Sequence, residues 1–264
     1  GLSGVDCSRP DLGNPGVGGT QYCFLLLIYY ILRFDPKSYR VRVYCSSDCF
    51  FPQGVEKVLV EDIFEGLTES KRRGDDFIII KDNKDQQLAR FIDKLRHRIV
   101  IWGHNFYFGD YADWVAKSPS VIANVFVGRQ QYDRYIDHPI CDKSLFIYNM
   151  VPDVVGGKKR DNDGKTVVYL GALIPEKGFL ILAKMWKYIL KKVPMARLQV
   201  IGGGNLYSRD CSLGRMGIAD KLFEEEFFPY LSEEGELLPS VTFQGILGGE
   251  KYEVFLSSSV GVVN

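Results

Sequence analysis

The sequence has no excess charge of either sign: 33 Lys and Arg balance 33 Asp and Glu over 264 residues. A protein that tracks a nucleic-acid backbone carries a basic surplus to displace counterions, so no nucleic-acid partner is expected. Histidine is scarce as well. His97, His104 and His138 are the only three, their spacing is not that of metal ligands, and no metal site is expected. The six cysteines, Cys7, Cys23, Cys45, Cys49, Cys141 and Cys211, include no C-x-x-C, and only Cys45 and Cys49 lie close together. That usage fits reduced, mostly buried thiols in a cytosol better than a disulfide framework or a zinc motif. No apolar run approaches the ~20 residues of a spanning helix. The longest, CFLLLIYYIL from Cys23 to Leu32, reads as a buried helix, with peripheral contact at a membrane surface left open. No signal-peptide pattern precedes it. Gly-x-Ser-x-Gly is absent, and no Ser-His-acid set can be read from the order of residues.

What is present is enough for a folded core. Hydrophobic residues make up 46% and aromatics 13% of the chain, which excludes a disordered protein. The length suggests two domains. Short β-branched and aromatic runs at Val41–Cys45, Phe77–Ile80, Ile99–Trp102, Val121–Val127 and Leu145–Tyr148 predict strands in the first half. Between them, Leu88, Phe91, Ile92 and Leu95 follow helical spacing over Gln86–Arg96, with candidate caps in Asp82–Asp85. Val151–Lys165 is polar, glycine-containing and aperiodic, and reads as a linker between domain 1–153 and domain 154–264; its Asp161–Gly164 reads as a turn. Beyond it, strands are expected at Thr166–Leu170, Arg197–Ile201, Val241–Gly245 and Val260–Val263. Helices are expected over Ile218–Tyr230, over Glu250–Ser257 and on a stripe of Leu182, Met185, Trp186, Ile189 and Leu190. Alternation of strand and helix predicts α/β units with parallel sheets.

Three places can carry chemistry. Gly13–Thr20, GNPGVGGT, comes within one residue of a P-loop, but Gly19 stands where the phosphate-binding lysine belongs. It remains a glycine turn leading into a helix near Gln21, where backbone N–H groups can meet an anion. Gly171–Gly178 follows a strand, as ligand loops of open α/β sheets do, and Lys177 stands at the start of the next helix, placed to meet a diphosphate or simply solvent. His104 follows a strand and Gly103, placed for ligand contact or proton exchange, or merely exposed.

In order along the chain, Gly18-Gly19-Thr20-Gln21, Trp102-Gly103-His104-Asn105, Ile147–Asp153, Tyr169–Gly178, Val200–Gly204 and Val241–Gly245 together resemble retaining glycosyltransferase family 4. Tyr169–Gly178 resembles that family's G-R-L-x-x-E-K-G. The resemblance implies a GT-B fold: two Rossmann-like domains facing across a cleft. It implies metal-independent transfer of a sugar from a UDP- or GDP-linked donor to a glycan or lipid-linked acceptor, in the cytoplasm or at the inner face of a membrane. The nucleotide sugar is a substrate, and no separate cofactor is implied. Lys177 would meet the donor diphosphate, with Gly18, Gly19, Gly171 and Gly203 admitting the donor closely. Ile246 would lie near the base, and His104 would touch the transferred sugar.

Two departures stand out. Ala172 replaces the arginine that partners the lysine in the family, with Arg129 as a conceivable substitute, and the family's acidic E-x7-E is expected beyond Val260–Val263, where the sequence stops. The second domain is therefore expected to be truncated, and the first to lack its opening strand, since the residues before Cys7 are too short and polar for one. These departures keep a non-catalytic sugar-nucleotide-binding or assembly subunit as the alternative. A GT-B epimerase or phosphorylase is a third reading.

Overall fold

The computed structural model describes residues 4–152, 164–204 and 212–263. Most of the expected linker, and Cys211, lie outside the described residues. The chain divides into two compact units: Gly1–Arg9 with Gly19–Val151, and Pro10–Gly18 with Pro152–Asn264. The glycine turn near the N-terminus thus packs with the second unit, although the chain on either side of it belongs to the first.

In the first unit, helix α1 (Gly19–Phe34) leads to strands β1 (Arg42–Cys45) and β2 (Glu56–Leu59), which form a two-stranded parallel sheet. There follow α2 (Ile63–Arg72), β3 (Ile78–Lys81), α3 (Gln86–Leu95), β4 (Ile99–Gly103), α4 (Tyr111–Lys117), β5 (Val121–Phe126), α5 (Arg129–Asp133) and β6 (Ser144–Phe146). Strands β3-β4-β5-β6 make a four-stranded parallel sheet in sequence order. Leu88 and Ile92 of α3 pack with Ile99 and Ile101 of β4 and with Val115 in one core. The α3 cap is Asp85, whose carboxylate accepts from Gln87 N, and not the more distant Asp82.

The second unit holds β7 (Thr166–Leu170), α6 (Phe179–Lys192), β8 (Arg197–Ile201), α7 (Lys221–Phe227), a two-residue hairpin β9 (Ser232–Glu233) and β10 (Glu236–Leu237), β11 (Val241–Gly245), α8 (Lys251–Ser257) and β12 (Val260–Val263). The sheet order is β11-β8-β7-β12, all parallel. Trp186 is fully buried under this sheet, and its indole N–H donates to Ser240 Oγ at 3.0 Å.

Three expectations need correction. Met185 is 45% exposed and Ala183 takes its place on the buried stripe of α6. The helix expected over Ile218–Tyr230 is shorter, because Asp220 caps it through Leu222 N and Phe228–Tyr230 tightens into a 3-10 turn before it ends. The apolar α1 is a helix, but only Cys23, Leu25 and Leu26 are buried. Phe24, Leu27, Ile28 and Ile31 line a cavity of the first unit, together with residues of β1 and β3. No described helix is long and apolar enough to cross a membrane.

Candidate functional site

In the first unit, the turn after β4 is anchored by Asp82, a buried carboxylate that accepts from His104 N at 2.8 Å and from Asn105 Nδ2 at 3.2 Å. Gly103 is required there, since a Cβ would collide with the Tyr107 ring. Tyr107 cannot retreat, because its hydroxyl donates to Asn124 Oδ1 at 2.6 Å and its carbonyl accepts from Tyr135 at 2.6 Å. The imidazole of His104 lies 5.0 Å from the Trp102 ring. Burial lowers the His104 pKa below the ordinary histidine value, against a smaller opposing pull from Asp82, so the ring is neutral at pH 7. Among the described residues, its buried Nε2 has no hydrogen-bond partner, and neither has the buried Trp102 Nε1. A buried polar nitrogen left unpaired costs free energy and is the kind of group a ligand satisfies. A cavity of about 420 Å³ adjoins the turn, lined by Ile63, Lys81, Asp82, Asn83, Lys84 and Asn105.

The other two histidines have structural partners. His97 meets Ser70 Oγ at 3.0 Å, and His138 caps a 3-10 turn by accepting from Ile140 N. The five described cysteines are free thiols. No three His, Cys, Asp or Glu side chains come together as a metal set among the described residues.

In the second unit, the carboxyl ends of β7, β8 and β11 converge as nearly bare backbone. Gly171 N donates to Ile201 O at 3.1 Å, Leu173 N to Gly203 O at 3.2 Å, and Gly202 N to Gly245 O at 2.8 Å. Gly202 has φ +141, and a Cβ there would fall on the Gly171 carbonyl, so only glycine fits. The following turn, Pro175–Lys177, is a 3-10 helix closed by Gly178 at φ +69, from which α6 begins. Tyr169 holds that turn by donating to Lys177 O at 2.9 Å. The Lys177 side chain is half-buried, and among the described residues no hydrogen bond or ion pair engages its ammonium. Ala172 is buried, at 5% exposure. Arg129, considered as a substitute cation, pairs with Asp133 at 3.3 Å on an exposed face of the first unit.

The glycine turn joins the same unit. Asn14 Oδ1 accepts from Gly16 N and Val17 N at 2.9 and 2.8 Å, which closes the turn locally. A Cβ on Gly16 would lie 3.3 Å from Ile246, so Gly16 and the exposed Ile246 are neighbours. Gly13, at φ +122, faces Tyr252 so closely that any side chain would clash. Lys251 Nζ donates to Asn14 O at 2.7 Å, and burial lowers the pKa of this lysine. Gly171, Gly203, Ile246 and the turn ending at Gly18 therefore belong to one unit, while Gly19, opening α1, and His104 belong to the other. From the sequence Asp82 was read only as a candidate helix cap, and Asn14 and Lys251 were given no role of their own. Nothing local marks them, since Lys251 and Asn14 meet across 237 positions.

No protein-family model matches the chain, and no curated protein matches it. Among solved structures, it resembles a glycosyltransferase from Rickettsia africae, with a TM-score of 0.52 at 10% identity, covering 79% of this chain and 59% of that one. Weaker likenesses join it to a UDP-forming trehalose-phosphate synthase from Burkholderia xenovorans and to the lipopolysaccharide outer core galactosyltransferase WaaB. The former has a TM-score of 0.48 at 14% identity, covering 75% of this chain and 55% of that one; the latter has 0.46 at 12%, covering 94% and 71%. The chain thus spans less than two thirds of the Rickettsia and Burkholderia proteins. The Rickettsia likeness shows the fold, an α/β arrangement of the GT-B type.

Proposed function

We propose that the chain is part of a retaining, nucleotide-sugar-dependent glycosyltransferase that moves a sugar from a UDP- or GDP-linked donor to a glycan or lipid-linked acceptor in the cytoplasm. The observation that carries this reading is the convergence on one unit of Gly171, Gly202 and Gly203 at the carboxyl ends of β7 and β8, where open α/β sheets bind nucleotides. The glycine turn beside Ile246 is part of that same unit. The fold shared with the Rickettsia glycosyltransferase agrees with it.

In this reading the donor lies on the second unit. Bare backbone at Gly171 and Gly203 admits the diphosphate, and Gly18 and Gly19 approach the phosphate or sugar. Cleavage of the bond from sugar to phosphate leaves negative charge on the departing diphosphate. The unengaged Lys177 ammonium and the positive end of α6 stabilise that charge without a metal. Ile246 offers an apolar contact to the base. His104 uses its unpaired Nε2 to hydrogen-bond a hydroxyl of the transferred sugar, with Asp82 fixing the turn and the adjoining cavity open to the acceptor.

The test is turnover. The protein in its longest native reading frame should release UDP or GDP from one of a panel of nucleotide sugars in the presence of acceptor, and His104→Ala should lower kcat more than it weakens nucleotide binding. Unchanged turnover in that variant would remove His104 from the chemistry. One observation favours a second reading, a non-catalytic sugar-nucleotide-binding subunit: Ala172, where the resemblance implies a second cation, is buried and uncharged. Nucleotide binding without turnover of any donor would select it.

A further inference from the structure

Cys45 and Cys49 are the closely spaced cysteines of the sequence, and the proposed transfer uses neither. They stand at the two ends of the loop that follows β1. Cys45 is half-buried at the end of the strand, and Cys49 is buried, at 2% exposure. Both thiols turn toward one acceptor. Cys45 Sγ donates to Ser47 O at 3.4 Å and Cys49 Sγ to the same oxygen at 3.6 Å. Cys45 is also a hydrogen-bonding neighbour of the Cys49 thiol.

The loop is pinned on both sides. Cys45 pairs with Leu59 of β2, and Val60 N donates to Cys45 O at 3.0 Å. Beyond Cys49, Phe50 N donates to Val5 O at 3.2 Å and Cys7 N to Phe50 O at 2.8 Å. The two thiols are thus held together by the strands around them, and little loop entropy remains to oppose a bond between them.

Their surroundings give the thiols different roles. Lys57 Nζ donates to Cys49 O at 3.4 Å and pairs with Asp48, and its charge favours a Cys49 thiolate, but burial dominates and raises the Cys49 pKa. Cys49 is therefore covered and protonated, a poor target for a dissolved reagent, whereas Cys45 is open to one. Cys7, the third thiol beside Cys49, is fully buried, and burial pushes its pKa up to about 11. Cys141, half-buried elsewhere in the unit, donates to Tyr135 O at 2.7 Å.

We propose that Cys45 and Cys49 form a reversible dithiol site for small disulfides of the glutathione kind, with Cys45 as the attacking thiol and Cys49 as the resolving thiol. The Cys45 thiolate attacks one sulfur of glutathione disulfide, whose S–S bond breaks. One glutathione leaves as a thiolate and takes up the proton that Cys45 released. Cys49 then loses its proton and attacks the Cys45 sulfur, and the second glutathione leaves with that proton. Two protein thiols are oxidised to one disulfide while one glutathione disulfide is reduced to two thiols, and excess glutathione reverses both steps.

The experiment exposes the protein, Cys49→Ala and Cys45→Ser to glutathione disulfide and maps the products without reduction. Trypsin leaves both cysteines in one peptide, Val43–Lys57. In the wild type that peptide should lose two hydrogens, and reduced glutathione should restore them. Cys49→Ala lacks the resolving thiol and should hold glutathione on Cys45 at a level at least about tenfold above that in the wild type. Cys45→Ser should give neither product, because Cys49 is covered. Closure in the wild type is read without any variant, so a variant that fails to fold leaves the test intact. An unmodified Val43–Lys57 peptide in the wild type would overturn the proposal, as would glutathione retained on Cys45 without closure or a bond from Cys49 to Cys7. Glutathione on Cys49 in Cys45→Ser would equally overturn it.

Discussion

Gly202→Ala tests the proposed donor loop most sharply. The backbone at φ +141 lies where residues with a Cβ are rarely found, which costs about 1–3 kcal/mol. The added methyl would also fall on the Gly171 carbonyl, a backbone atom that cannot rotate aside. Relief requires movement of the loop after β7, and overpacking of this kind adds about 1–3 kcal/mol. The sum, about 2–6 kcal/mol, should lower the melting midpoint of the second unit by about ten degrees or more. Gly235→Ala is the matched control. Gly235 also has positive φ, at +82, but a Cβ there meets nothing within 4 Å, so only the conformational cost remains, about 1–2 kcal/mol. Chemical denaturation followed by circular dichroism measures both. Gly202→Ala should also lose nucleotide affinity under conditions where the protein is still folded. If it proves no less stable than Gly235→Ala, the close approach of the two loops is wrong.

Other perturbations have definite signs. Burial lowers the pKa values of His97 and His104, so the unfolded chain takes up protons first as the pH falls; their contribution to stability is complete above about pH 6.5 and is lost as the pH drops below it. Guanidinium midpoints at pH 7.5 and 5.5 should show the loss, and His104→Gln should reduce the difference. Asp82→Asn removes the negative charge that raises the His104 pKa, so an NMR titration should show that pKa falling further; a rise would contradict the assigned contact. Lys251→Met deletes the hydrogen bond to Asn14 O, an interaction of a charged donor worth about 1.5 kcal/mol at the low end, and should weaken nucleotide binding roughly tenfold by freeing the glycine turn. Trp186→Ala opens the core of the second unit and should cost about 3–5 kcal/mol in denaturation.

The strands were legible because their β-branched runs are bounded by turn residues; each expected one lies within two residues of its place in the structure. Strand β2 escaped notice because EKVL has two charged residues in four and no clear alternation. The helical character of α1 was plain from its composition, but its burial was not: only Cys23, Leu25 and Leu26 are buried, because which face of an apolar helix is covered depends on segments distant in sequence. Glycines of the loops after β7 and β8 were visible as punctuation. The side chains that hold those loops were not, because the pairing of Asp82 with His104, or of Lys251 with Asn14, arises only when distant segments meet. The residue type of Asp82 suggested a helix cap, a role that Asp85 fills, leaving Asp82 to hold the turn.

The central claim is that the second unit binds the donor nucleotide through the loops after β7 and β8. Isothermal titration of the protein with UDP and with GDP tests it directly, using wild type, Lys177→Ala and Gly202→Ala. Saturable binding of one nucleotide, weakened at least about tenfold in Lys177→Ala by loss of a cation at the diphosphate, is the predicted result. Affinity unchanged by both substitutions would contradict it.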